Sequence, residues 1–234
     1  MVAAHIRPWG GVGVRHIPAN SPYGVLDTRF AGLVGDNRWN RAGDPTFYIA
    51  SDQGVALAEF ARHFKEREDA ALAPLAVERA LYELSVDIQA LLDLREIAVR
   101  AALGFHGGAR RFLDAEVARA TATFIRRTTS AEALLVPSVA FLDDPARWNL
   151  VLFLEKMPPD LRTFIKVTPA GAVPHRVVAE AQQARVVRPK SDCSRAAEWN
   201  HPTSLSADRG TSRTANSNWA ESAKLDSSAS TSGC

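Results

Sequence analysis

Large aliphatic side chains all but vanish after Pro189. From residue 191 to the end the chain carries only Leu205 and Leu225 among eleven serines. Such a stretch cannot bury enough apolar surface to offset a backbone ordering cost of roughly 1–2 kcal/mol per residue, so residues 190–234 are predicted to be a disordered Ser-rich tail. Trp199 and Trp219 stand alone in that tail and read as solvated. The core, and any site built on it, must come from residues 1–189, a normal size for one domain.

Within those residues strand and helix signals alternate. Residues 13–17 and 46–50 (TFYIA) read as strands, the second rich in β-branched and aromatic side chains. Ser51 or Asp52 then serves as an N-cap for a helix to about Arg67, in which Val55, Leu57, Ala58, Ala61 and Phe64 recur near helical spacing. Residues 79–89 alternate, with Tyr82, Leu84, Val86 and Ile88 on one side and Glu83, Ser85 and Asp87 on the other, the pattern of a half-buried strand. A second helix is expected over 113–127 and strands over 133–139 and 149–155, with shorter edge strands at 164–167 and 176–178. Strands outnumber helices after the first third. That balance predicts an α+β fold, a mixed sheet core with flanking helices, rather than a doubly wound parallel sheet.

Charge and motif content exclude several functions. Twenty-eight Lys and Arg against 26 Asp and Glu leave +2, too balanced for a phosphate-neutralising surface, so no direct nucleic-acid binding is expected. No apolar run approaches the ~18 residues that span a bilayer, and Arg7-Pro8 occupy the place of a secretory apolar segment, which predicts a cytoplasmic protein with no membrane partner. Gly11 and Gly13 begin a dinucleotide fingerprint, but His16 stands at the third glycine position and no helix follows. The histidines never fall at zinc-helix spacing and both cysteines, Cys193 and Cys234, lie in the tail, so no metal is expected. Neither Ser130 nor Ser138 sits in a Gly-x-Ser-x-Gly elbow. Arg110-Arg111 and Arg126-Arg127 read as basic surface, a docking face for an acidic partner, and Trp39 and Trp148 as packing residues.

One constellation survives. Arg38-Trp39-Asn40-Arg41-Ala42-Gly43 precedes the second strand, Tyr48 lies on it, and Glu59 follows eleven residues later, about two turns into the helix. Arginine offers a rigid bidentate fork to phosphate, an aromatic ring stacks on a planar ring, and a carboxylate accepts from sugar hydroxyls. A ligand with a pyrophosphate and a planar ring fits that set. An acid among Val55, Leu57, Ala58, Phe60 and Ala61 is costly to bury unless paired or used, which makes Glu59 the leading candidate.

These residues resemble a known family. The run from Asn37 to Gly43, then Phe47-Tyr48-Ile49-Ala50 and Ala56-Leu57-Ala58-Glu59, is similar to the signature of RES-domain proteins. Val14-Arg15-His16 resembles the family's first arginine, Val136-Pro137-Ser138-Val139 the segment of its serine, and residues 149–153 the strand that follows. The chain departs from the pattern at Asp36-Asn37, where glycine is usual, at Arg41-Ala42, and after Ser138, where Val139-Ala140-Phe141 follow. The resemblance implies an ADP-ribosyltransferase-like fold and an NAD phosphorylase or glycohydrolase that needs no cofactor, NAD being its substrate and phosphate or water its acceptor. It also implies a bacterial toxin neutralised by a helix-turn-helix antitoxin; a protein ADP-ribosyltransferase and an inactive RES-fold binding module are the alternatives. By the same resemblance Arg15 and Arg38 grip the NAD pyrophosphate, with Arg41 as an alternative. Tyr48 stacks on or hydrogen-bonds the nicotinamide riboside, Glu59 supports the oxocarbenium-like state, and Ser138 orients ribose or carboxamide.

Overall fold

The computed structural model describes residues 2–33, 35–66 and 78–173. The expected tail 190–234, with its tryptophans and cysteines, and the expected strand at 176–178 lie outside them.

Six strands form one mixed sheet: β1 (Arg7–Pro18), β2 (Thr46–Ala50), β3 (Arg79–Asp93), β4 (Ala133–Pro137), β5 (Trp148–Phe153) and β6 (Ile165–Val173). Their order is β1-β2-β5-β4-β3-β6, and β1 also pairs with β3. β3 carries this closure. Along one edge it pairs with β1 from Arg79 to Leu91; along the other it meets β6 from Arg79 to Val86 and then β4 from Leu91 to Asp93. Among the described residues only the β3–β4 pairing is parallel.

The continuous apolar runs of β4 and β5 belong to strands covered on both faces. Leu135, Leu150 and Leu152 join Phe47, Ile49, Leu84 and Ile88 in one core. Their neighbours Leu134, Val136, Val151 and Phe153 point the other way, into a second core with Phe112, Ala118 and Ile125. The period-two alternation divides one strand between two cores. β3 keeps the expected pattern, with Leu84, Val86 and Ile88 buried and Glu83, Ser85, Asp87 and Gln89 exposed.

Helices α1 (Gln53–Glu66), α2 (Ile97–Ala102) and α3 (Ala115–Thr128) flank the sheet. The Asp52 carboxylate accepts from Val55 N at 3.0 Å, and Asp114 accepts from Glu116 N at 2.8 Å and Val117 N at 3.3 Å, so both long helices start at an acidic N-cap. α3 therefore begins two residues later than expected; residues 109–113 form a 3-10 turn leading into Asp114. α2 had no sequence signal, because it has six residues, no side-chain cap, and one fully buried side chain, Val99.

Two strands are longer than their sequences suggest. β1 extends back to Arg7 through Trp9-Gly10-Gly11, where no alternation is visible, because β3 supplies a partner along its whole length. β6 runs to Val173 although Pro169 and Gly171 interrupt it; a register shift opposite Leu81 and Tyr82 and a φ of +101° at Gly171 absorb the irregularity. A further correction concerns Arg126, read as surface. It is buried, with its guanidinium over the Phe153 ring at 4.3 Å, 2.8 Å from the Glu155 carboxylate, and donating to Thr46 Oγ1 at 2.7 Å. Trp39 and Trp148 pack, against Phe112 at 5.1 Å and Trp9 at 5.6 Å between ring centres.

Candidate active site

β1 and β2 touch at a single register, Val14 opposite Ala50, and then diverge. Gly13 permits that crossing. A Cβ there would lie 2.5 Å from Ile49 Cγ2 and 2.6 Å from the Ala50 carbonyl oxygen, a clash no side chain could relieve. The second glycine of what begins like a nucleotide fingerprint thus serves the close approach of β1 to β2, and its consequence is the placement of Arg15, two residues on, in the fork between the strands. Arg15 donates from NH1 to the Tyr48 carbonyl at 2.8 Å and lies over the Phe47 ring at 4.0 Å. Its Nε is buried without a hydrogen-bond partner among the described residues. Burial and then the charge of Arg79 lower its pKa to about 10, so it remains a cation at neutral pH.

On one side of this fork opens a cleft of about 520 Å³. Arg15 from β1, Arg38 from the preceding loop, Tyr48 from β2 and Glu59 from α1 all line it. Four of the residues expected from sequence, spread from Arg15 to Glu59, are therefore brought to one cavity.

Glu59 is seated from below. Ser138 is fully buried in the turn after β4, and its hydroxyl donates to Glu59 Oε1 at 2.6 Å; Ala140 N donates to the same oxygen at 3.1 Å. Both donors use Oε1, which leaves Oε2 for the cleft. Ser138 does not itself line the cavity; its contact is with the carboxylate. The Val139-Ala140 backbone that follows it, atypical in sequence, supplies the second donor.

Tyr48 donates its hydroxyl to Asn40 Oδ1 at 2.7 Å, and burial raises its pKa, so the phenol stays protonated. Arg38 lines the cleft while its NH1 donates to the carbonyls of Phe112 at 3.1 Å and Leu113 at 2.9 Å, tying the loop to the turn before α3. Arg41 is placed elsewhere. It is exposed, 3.3 Å from Glu116, and does not line this cleft, because the turn closing at Gly43 carries it outward.

Several contributors had no assigned role in sequence. Asn40 is buried, and both ends of its amide are engaged: Oδ1 accepts from Tyr48 and Asn37, and Nδ2 donates to the Arg41 carbonyl at 3.0 Å. Arg119 comes from α3, where its only signal is a long cation between Ala118 and Ala122 on the buried face. It donates to the Asn37 carbonyl at 3.0 Å, and its buried Nε lies 3.9 Å from the Asp36 carboxylate, with no hydrogen-bond partner among the described residues. His16 also lines the cleft; Arg79 Nε donates to its Nδ1 at 3.0 Å, so the proton sits on Nε2, 3.3 Å from the Ala56 carbonyl. Burial, with Arg79 and Arg15 nearby, lowers its pKa to about 4. The cavity wall thus sets Arg15, Arg38, Arg62 and Arg119 against Asp36 and Glu59, a cationic surface with a neutral imidazole and one well-held carboxylate. Such a wall suits an anionic ligand. Among the described residues no group of three or more His, Cys, Asp or Glu side chains is placed to hold a metal ion, and no helix is long and apolar enough to cross a membrane.

The family model of the RES domain matches residues 14–176, which include every element of this cleft. The chain belongs to the RES-domain family. This RES domain is similar in fold to the toxin in the crystal structure of the M. tuberculosis MbcT–MbcA toxin–antitoxin complex. The TM-score is 0.55 at 19% identity, over 78% of this chain and 94% of that one. No curated protein matches the sequence.

Proposed function

We propose that this RES-domain protein is the toxin of a toxin–antitoxin pair and destroys NAD by breaking the bond between nicotinamide and ribose. One observation carries the reading: a carboxylate, Glu59, presented to a cation-lined cleft and fixed by two donors on its far oxygen. Cleavage of an N-glycosidic bond passes through an oxocarbenium-like state, which a positioned negative charge stabilises. The bonding pair leaves with nicotinamide, which becomes neutral as it departs, so no metal or further cofactor is required. An oxygen of phosphate or water then bonds to the ribose carbon, giving ADP-ribose phosphate, or ADP-ribose with release of a proton.

In this reading Arg15 and Arg38 hold the diphosphate, and holding it still converts binding energy into alignment of the scissile bond. Tyr48 supports the nicotinamide riboside. Ser138 acts through Glu59, as a positioning residue. The fold shared with a toxin solved in complex with its antitoxin supports a protein antitoxin as partner, for which a helix-turn-helix protein is proposed. Incubating the purified protein with NAD and phosphate and following nicotinamide by chromatography tests the proposal. Free ADP-ribose phosphate or ADP-ribose is expected; label transferred to protein would make the chain a transferase, and no nicotinamide release would make it a non-catalytic module.

A further inference from the structure

A second cleft, of about 310 Å³, opens on the other side of the fork, under the loop of residues 19–33. Arg15, Asn37 and Tyr48 line both cavities, so the two adjoin through the same three side chains. The second differs in character. Its outer wall carries Tyr23 and Phe30, whose rings meet edge to face at 5.5 Å and stay 40% and 53% exposed. Two neighbouring rings that line a cavity and stay partly exposed form an apolar surface that a ligand ring can cover. They are also held in place. Arg29 lies over the Tyr23 ring at 4.5 Å and forks onto Asp27, with NH2 at 2.6 Å from Oδ2, and the Tyr23 amide donates to Ser21 Oγ at 3.1 Å. One face of Tyr23 is thereby occupied, which leaves Phe30 as the open platform.

Two cavities, one walled by cations around a carboxylate and the other by aromatic rings, joined at a half-buried arginine that lines both, match a ligand with two ring-bearing ends and a diphosphate between them. We infer that the second cleft binds the adenosine half of the dinucleotide, with Phe30 as the stacking surface and Arg15 on the diphosphate at the junction. This rests on the proposed NAD-cleaving function and adds where specificity for a dinucleotide over a mononucleotide arises. A base stacked on an aromatic side chain contributes enough that removing the ring weakens binding roughly 5- to 100-fold.

The test compares NAD with nicotinamide mononucleotide, which lacks the adenosine half, on wild type, Phe30→Ala and Phe30→Trp. Wild type should prefer NAD, and Phe30→Ala should cut the ratio of the two kcat/KM values by about tenfold, with Phe30→Trp restoring it. AMP carries the adenosine and one phosphate, so calorimetry should show it binding wild type and binding Phe30→Ala about tenfold more weakly. This arm stands even if wild type releases no nicotinamide from either substrate, a result that would sink the proposed function alone. Equal kcat/KM for NAD and the mononucleotide in wild type, an unchanged ratio in Phe30→Ala, or no AMP binding to wild type would each overturn the inference. In the last case the exposed rings are a surface for something other than a nucleoside, such as an apolar side chain of a protein partner.

Discussion

Glu59→Gln changes one atom where the fold meets the proposed chemistry. In the native site both donors, the Ser138 hydroxyl at 2.6 Å and the Ala140 amide at 3.1 Å, converge on Oε1. A glutamine satisfies both with its carbonyl oxygen and places its NH2 where Oε2 was. The seat survives, while the atom offered to the cleft turns from a charged acceptor into a neutral donor. Hydrogen bonds to a charged group contribute about 1.5–3 kcal/mol and neutral ones about 0.5–1.5, so the two bonds together weaken by about 2 kcal/mol. Keeping a neutral amide half-buried costs less than keeping a carboxylate there, which leaves a net loss of about 1 kcal/mol, or about 2–4 °C in melting temperature. Nicotinamide release, by contrast, should fall roughly 10²- to 10⁴-fold, the scale of a positioned acid or base. Glu59→Ala provides the contrast: it strands the buried Ser138 hydroxyl and should cost about 3 kcal/mol while abolishing turnover. Calorimetric melting and a nicotinamide assay on the same preparations separate the two effects. A glutamine variant that melts within a few degrees of wild type and keeps more than a tenth of its turnover would refute the reasoning.

Three further outcomes are expected. Arg15→Lys keeps the charge but loses the fork, so kcat/KM for NAD should drop roughly 10- to 100-fold, and steady-state kinetics indistinguishable from wild type would remove Arg15 from the diphosphate. Arg126→Met should destabilise by about 3 kcal/mol in a urea titration, because it leaves Glu155 and Thr46 without their partner, and should leave turnover of the folded fraction intact; a turnover defect would show that Arg126 reaches the site. His16 has a folded pKa of about 4 against 6.5 unfolded, so the unfolded chain takes up a proton in that window and the folded chain does not. Its contribution is present above pH 6.5 and lost as pH falls toward 4, about 2 kcal/mol after allowance for partial exposure. Urea midpoints of wild type and His16→Gln should therefore converge at low pH, and parallel curves would refute the assignment.

Much of the local structure was legible because it depends on neighbours in sequence. The alternation of β3, the apolar run of β2 and the Asp52 cap each follow from side-chain period or a local hydrogen bond, and they carry Tyr48 and Glu59 to their places. The limits of β1 and β6 did not follow, because glycine and proline blur the pattern and only the partner β3 extends both strands. Arg126 read as surface for the same kind of reason: its partners, Thr46 and Glu155, lie 80 and 29 positions away.

The chain's residue types therefore determined what chemistry is on offer: a set of arginines, a carboxylate, a serine after Val136-Pro137, and aromatic side chains without a metal-ligand pattern. Tertiary structure decided which of them work together. Arg38 and Arg41 are three residues apart, yet the turn at Gly43 sends Arg41 to Glu116 on the surface. Ser138 and Glu59 are 79 positions apart, and the crossing of sheet and helix brings them to 2.6 Å. Arg119, unremarkable within α3, reaches the loop at Asn37 only because the helix packs there. Spacing along a strand or helix is written in the sequence by its period, whereas a contact between elements depends on where the sheet closes, and here that is set by β3, which pairs with β1 along one edge and with β6 and β4 along the other.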